Sequence, residues 1–206
     1  MSSSMSSASG AATGATAGVT REPVRRHLSE RQADTVARLT DAAVEEVRGT
    51  GYEGLTVRNV ARRAGVAPAT AYTYFASKDH LVAEVFWRRL QTQVPTEPDT
   101  AAGAAERVTT AIGDIAGLVG DEPELAAACT TGMLAGDPDV ERVREQIGVE
   151  VSDRLRQALG PDLDEDRLDA LKLALWGAML SAGMGYFPHA ELAERMAGVT
   201  RIVLGD

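Results

Sequence analysis

Side chains able to do chemistry are concentrated between residues 56 and 78. Thr56, Arg58, Thr70, Tyr72, Thr73, Tyr74 and Lys78 bring hydroxyls, a guanidinium and an ammonium into one short stretch. Such donors suit contacts to phosphate and to base edges. Bond-breaking would instead need clustered acids, bases or metal ligands. His27, His80 and His189 are far apart, and no two of them make a helical ligand pair. A phosphate-binding glycine loop, a nucleophile elbow and a paired-cysteine site are all missing. Acidic residues fall mainly at helix starts and on polar faces, where they complement the helix dipole or stay solvated. The single cysteine, Cys129, excludes a disulfide framework and a multi-thiolate metal site. With no basic sequence neighbour to lower its pKa, it reads as a buried core thiol rather than a redox sensor. An enzyme is the distant alternative, and neither a cofactor nor a metal is implied.

A helical frame must hold these donors. Thr56 can cap a short helix from Val57 to Ala64, with Val60, Ala61 and Ala64 facing inward. Gly65-Val66-Ala67 makes a tight turn, and Pro68 suits the first position of a second helix because its missing N–H costs nothing there. That helix reads Ala69, Thr70, Ala71, Tyr72, Thr73, Tyr74. Ser77 then caps a longer one carrying Leu81, Val82, Val85, Phe86 and Leu90. Upstream, Ser29 followed by Gln32 is a capping-box signature. Ala33, Val36, Ala37, Thr40, Ala43, Val44 and Val47 recur at three- and four-residue steps, a helix running to about Arg48 that Gly49 and Gly51 end. Two helices joined by a short Gly-containing turn match a helix-turn-helix, although many helical pairs share such turns. Core aromatics are the plain alternative for Tyr72 and Tyr74, and a solvated face for Arg62 and Arg63.

The order of residues adds more. The run Gly54-Leu55-Thr56-Val57-Arg58-Asn59-Val60-Ala61-Arg62-Arg63-Ala64-Gly65-Val66-Ala67-Pro68-Ala69-Thr70-Ala71-Tyr72-Thr73-Tyr74-Phe75-Ala76-Ser77-Lys78 closely resembles the signature of TetR-family repressors, and the likeness covers about residues 30–90. It implies a three-helix DNA-binding domain over residues 25–92 and a helical ligand-binding and dimerisation domain over 93–206. It also implies a DNA-contacting set of Thr56, Val57, Arg58, Pro68, Ala69, Thr70, Tyr72, Thr73, Tyr74 and Lys78. Thr70 and Tyr72 present hydroxyls near the start of a helix that can enter the major groove, and Tyr74 and Lys78 follow on the phosphate flank. Arg58 matches a position able to read a base; an Arg forked onto guanine is the commonest specific contact in that groove. Ala69 and Thr73 leave small methyl-bearing groups there, while Ala71 and Phe75 pack inward. Two positions depart from the family pattern. Ala67 stands where Ser is common, which removes one N-cap bond, and Ala71 where a bulky residue is common. Arg25 and Arg26 can serve as an arm into a minor groove or as a plain solvated arm.

Pro95 and Pro98 lead into the second half. Start signals at Thr100, Glu122-Pro123, Asp137-Pro138 and Asp162/Asp164, with a stop at Gly160-Pro161, predict helices near 100–119, 123–135, 138–159, 164–186 and 189–204. No strand pattern and no repeat appears, so the fold class is all-α with about nine helices. Phe86, Leu90, Ile112, Ile115, Val119, Cys129, Met133, Ile147, Val151, Trp176 and Leu180 are candidates for the pocket that the resemblance implies, plain core being the other reading. Their apolar character points to an acyl or lipid-like effector. The Leu28-Ser29-Glu30-Arg31-Gln32 and Gly51-Tyr52-Glu53 segments resemble actinobacterial regulators of steroid and lipid catabolism. Leu168, Leu171, Leu175 and Met179 on one helix, and Leu192, Met196, Val199 and Val203 on the last, form stripes for a four-helix homodimer interface.

The net charge of −9 looks wrong for a partner of DNA until the chain is divided. Residues 21–90 hold 12 Arg/Lys against 9 Asp/Glu, and residues 91–206 hold 9 against 21. A basic head on an acidic body suits nucleic-acid contact at one end. Residues 1–24, dominated by Ser, Ala, Gly and Thr, are expected to be a disordered tail. They lack the basic start and apolar core of a signal peptide, no apolar run reaches the roughly 18 residues of a membrane span, and a cytoplasmic protein is expected. The function expected is a ligand-responsive repressor that binds a palindromic operator as a homodimer. An activator, or a DNA-binding regulator without a ligand, is the alternative.

Overall fold

The computed structural model describes residues 30–161 and 164–205. The expected tail, the Arg25–Arg26 arm, the Leu28–Ser29 entry and the Asp162 start signal lie outside the described residues. Among the described residues every element is helical.

Helix α1, Glu30–Gly54, buries Val36, Leu39, Ala43 and Val47. Its expected end at Gly49–Gly51 is a break rather than a stop. Gly51 leaves helical geometry at φ 65 and ψ 179, and a last turn carries on to Gly54. Helices α2, Val57–Arg63, and α3, Pro68–Tyr74, follow, then α4, Lys78–Gln93. Thr56 and Ser77 cap α2 and α4 by accepting from the N–H groups of Asn59 and His80. Ala67 gives α3 no side-chain cap.

The rest comprises α5, Ala104–Gly120; α6, Pro123–Met133; α7, Pro138–Leu159; α8, Glu165–Gly183; a 3-10 turn, His189–Glu191; and α9, Leu192–Leu204. Pro123 and Pro138 open their helices as expected, and Asp137 and Asp164 cap theirs. Thr100 does not start α5. Asp99 accepts from Ala101 N with its carboxylate and from Ala102 N with its carbonyl, which closes a turn ahead of the helix. Helix α8 stops short of residue 186 because Gly185 adopts φ 82 and Tyr186 N–H folds back onto Ser181 O, a glycine-terminated C-cap.

One core runs through the chain. Helix α4 packs on α1 at one side and on α6 and α7 at the other, while α5 lies against α7 and α9, and α8 against α9. Four arginines close helix ends by donating to orphan carbonyls, a favourable place for a cation; Arg89 does so at Leu118 O of α5. Arg154, buried, donates to Leu90 O, Val94 O and Pro95 O behind α4. Arg107 donates to Ala158 O and Leu159 O of α7, and Arg144 to Met133 O of α6.

Candidate nucleic-acid interface and ligand cavity

Helices α2 and α3 are too short to persist alone, so their buried sides decide their placement. Val57, Val60 and Ala61 anchor α2; Ala71 anchors α3, and Phe75 sits just past its end. Between them Gly65 takes φ 64, and Val66 N–H donates back to Ala61 O, which turns the chain so that α3 leaves α2 sharply. With these residues inward, Pro68, Ala69, Thr70, Tyr72 and Thr73 face solvent.

Tyr72 is 53 % exposed, which overturns its reading as a core aromatic. Tyr74 is half-buried against the core. Thr73 spends its hydroxyl on Ala69 O at 3.1 Å and so offers chiefly its methyl. Thr56 and Arg58 are exposed beside α3, and Arg58 has no ion-pair partner among the described residues. Val57 is buried, so its place in the DNA-contacting set is corrected: it holds α2 down and presents no side-chain surface. Arg62 is exposed, but Arg63 pairs with the buried Glu46 at 2.9 Å and thus ties α2 to α1. Lys78 donates to Tyr52 O at 3.0 Å and lies 4.0 Å from the Tyr52 ring centroid. Burial, and then the Asp79 carboxylate that accepts its hydroxyl, push the Tyr52 phenol up, so it stays protonated as the donor. Lys78 therefore fixes the start of α4 to the end of α1.

The reader is also bonded to the rest of the chain. Ser77 donates to the carboxylate of Asp137, the α7 cap, at 2.9 Å. Hydrogen bonds from Asp139 N and Ser77 hold the Asp137 carboxyl below the usual range. Glu122, at the start of α6, receives Arg48 of α1 at 2.7 Å and Arg89 of α4 at 2.8 Å. Burial alone would push the Glu122 carboxyl up, but the bonds from Arg89 and Arg48 outweigh it and hold it low. None of these links was visible in the sequence, because their partners are dozens of residues apart.

A cavity of about 370 Å³ lies among α5, α6, α7 and α8. Six of the candidate pocket residues line it: Val119, Cys129, Met133, Ile147, Trp176 and Leu180. Phe86, Leu90, Ile112, Ile115 and Val151 do not; each is closed off in the core by neighbouring helices. Met179, expected at a dimer interface, lines the cavity instead. The Cys129 thiol is pushed up to about 12 by burial, which makes it an inert wall.

The expected dimer stripe also needs correction. Leu168, Leu171, Leu175, Leu192 and Met196 are buried within the single chain, and Val199 and Val203 are half-buried against its core. The apolar side chains facing outward from this end are Leu173, Leu180 and Met184, with Tyr186 and Ile202.

Residues 39–85 match the family model described as bacterial regulatory proteins, tetR family. The chain is 44 % identical over 178 residues to an uncharacterized HTH-type transcriptional regulator of Mycobacterium tuberculosis, covering 85 % of this chain and 83 % of that relative. It is 28 % identical over 186 residues to the HTH-type transcriptional repressor KstR of Rhodococcus jostii, covering 86 % of each. In fold it is similar to a TetR transcriptional regulator from Rhodococcus sp. RHA1, with a TM-score of 0.68 at 23 % identity, covering 86 % of this chain and 99 % of that one. A FadR regulator from Bacillus subtilis, solved in complex with stearoyl-CoA, aligns with a TM-score of 0.55 at 18 % identity, covering 80 % and 96 %. These relatives and fold neighbours are transcriptional regulators, not enzymes. No helix among the described residues is long and apolar enough to cross a membrane.

Proposed function

We propose that this chain, which belongs to the tetR family of bacterial regulatory proteins, represses transcription as a homodimer on a palindromic operator and is released when an apolar, acyl or lipid-like effector fills its cavity. We assign residues 25–92 to DNA binding and 93–206 to ligand binding and dimerisation, in the cytoplasm where its DNA is. On the reader, Thr70 and Tyr72 enter the major groove, Arg58 reads a base, and Thr56, Pro68, Ala69, Thr73, Tyr74 and Lys78 border the contact.

Helix α6 carries the ligand-linked part of this reading. Ala126, Cys129, Thr130 and Met133 of α6 line the cavity, while its Glu122 grips Arg48 and Arg89 and its Gly132 lies against Asp79 and Val82 at the start of α4. An effector that displaces α6 therefore pushes directly on the helices that hold the reader. The lever acts through these contacts and not through Phe86 or Leu90 touching the ligand. Coupling of this kind is usually about 1–3 kcal/mol and reciprocal between DNA and effector. That the KstR relative is named a repressor and that FadR was solved with stearoyl-CoA support the same direction.

For the homodimer, Leu173 and Leu180 of α8 and its C-cap Met184 lie on one face at steps of seven and four residues. With the exposed Ile202 of the neighbouring α9 they are the apolar side chains that a second copy would cover. Two readers so joined would sit about 34–36 Å apart, one turn of DNA. The test is selection from a pool of randomised duplexes. An inverted repeat with that half-site spacing should be enriched by the full chain and lost with Tyr72→Ala and Arg58→Ala together. Enrichment of no sequence, or of an unrepeated half-site by a monomer, would overturn the proposal.

A further inference from the structure

The cavity has two chemically different ends. Ala126, Cys129, Thr130 and Met133 line it from one face of α6, and seven helical steps span roughly 10 Å. At the end where α6 begins stands His189, whose backbone carbonyl lies beside Gly120, the last residue of α5. Its Nε2 is shut off from solvent and has no hydrogen-bond partner among the described residues. Burial pushes the imidazole below its ordinary value, so the ring is neutral near pH 7. A buried ring nitrogen left without a partner is costly. A small turn of the imidazole would bring Nε2 to the cavity surface, where a hydroxyl, which both donates and accepts, would satisfy it in either tautomer.

At the other end, where α6 stops, Arg144 lines the same cavity. One terminal nitrogen donates to Met133 O at 2.6 Å, which fixes the guanidinium at the helix end. The same nitrogen also reaches Ala135 O at 3.5 Å, while Nε and the other terminal nitrogen have no partner among the described residues; Arg144 and the neighbouring Leu134 are exposed, so this end opens to solvent. A guanidinium held by its own helix and free on its other edge is suited to a carboxylate. Between the ends the walls are mainly apolar, formed by Val119, Ile147, Trp176 and Met179, with the Trp176 indole N–H and the Thr130 oxygen, whose proton is given to Ala126 O, as the polar groups there.

Resting on the effector role given above to the cavity, we infer that its ligand is a two-ended molecule: an apolar body along α6, an uncharged hydroxyl at His189 and a carboxylate at Arg144. Plain fatty acids satisfy one end, fatty alcohols one end at a time, and sugars neither wall.

The experiment is calorimetric titration of the full chain with three ten-carbon probes: 10-hydroxydecanoate, decanoate and 1-decanol. The hydroxy acid should bind on the order of tenfold more tightly than either of the others, the worth of one hydrogen bond to a buried partner. His189→Phe should bring the hydroxy acid down to decanoate. His189→Gln, which keeps a donor and an acceptor, should retain part of the preference. Arg144→Met should erase the advantage of the hydroxy acid over 1-decanol. Equal binding of hydroxy acid and decanoate, a preference that survives His189→Phe, or no binding of any probe overturns the assignment. Operator binding followed on the same samples separates the two proposals. Probes that bind in the expected order yet leave DNA bound remove the effector role alone. Release of DNA without the hydroxyl preference removes the two-ended ligand alone.

Discussion

Gly132 is the point where the cavity wall meets the DNA reader, and replacing it by Ala should move both stability and operator binding. A Cβ there would fall well inside contact distance of Val82 Cγ2, 3.2 Å from Asp79 O and 3.4 Å from Asp79 Cα. Val82 is fully buried and β-branched, so it is held to one strongly preferred rotamer and cannot turn aside cheaply. The Asp79 carbonyl cannot yield unless the first turn of α4 moves. Gly→Ala inside a helix ordinarily gains at most about 1 kcal/mol, while overpacking costs about 1–3 kcal/mol. The clash with buried Val82 and the Asp79 backbone puts the overpacking at the upper end of that range, so the net is a loss of about 2 kcal/mol. At about 2–4 °C per kcal/mol for a chain of this size, the melting temperature should fall by about 4–8 °C. Gly148→Ala is the control. It also lines the cavity, but its Cβ would meet nothing within 4 Å. The helical gain is then unopposed, and the melting temperature should rise by about 1–4 °C. Thermal melts paired with fluorescence-anisotropy titration of operator DNA read both effects. Gly132→Ala melting at or above the wild type, with operator affinity unchanged, would refute the view that α6 bears on the start of α4.

Arg58→Ala should cost about 1–3 kcal/mol of operator binding and relax preference at one base per half-site; uniform loss across operator variants would remove Arg58 from base reading. Lys78→Ala should weaken binding to all sequences and also lower the melting temperature, since Lys78 holds the end of α1; an unchanged melt would contradict that anchoring. Leu173→Glu with Ile202→Glu should yield a folded monomer in sedimentation, because both side chains are exposed in the single chain; a persisting dimer would move the interface elsewhere. For pH, burial lowers the His80 and His189 values, so the unfolded chain takes up protons first. Stability is then full above about pH 6.5 and is lost as pH falls through the lowered values. Glu122 and Asp137, also held low, add a loss further down. Melting temperatures flat between about pH 8 and pH 5 would contradict this.

The reader was legible in the sequence because its signals are local. Thr56, Gly65, Pro68 and Ser77 each act within four residues, through a cap, a positive φ or a missing N–H. Val57 was misplaced because adjacent residues on a helix point about 100° apart, so a buried anchor can sit directly beside the exposed Arg58. The cavity was half legible. Val119 and Ile147 line it while Ile112, Ile115 and Val151 are core, and nothing in an aliphatic side chain's type separates the two fates. Helix α8 carries Leu on several faces: Leu168, Leu171 and Leu175 go inward and Leu173 outward. With apolar residues so spread, periodicity does not choose which stripe meets a partner. Arg154 carried no signal in the sequence, because the carbonyls it closes, Val94 O and Leu90 O, lie 60 residues or more away.

Filling the cavity from within tests the coupling of cavity to reader without knowing the ligand. Gly148→Phe places a ring where a Cβ meets open space. Its operator affinity, measured by anisotropy against the wild type on the selected inverted repeat, should fall about five- to 150-fold with the fold intact. A wild-type chain that shows no sequence-specific affinity, or a folded Gly148→Phe that binds the operator as tightly as the wild type, would contradict a DNA reader controlled from this cavity.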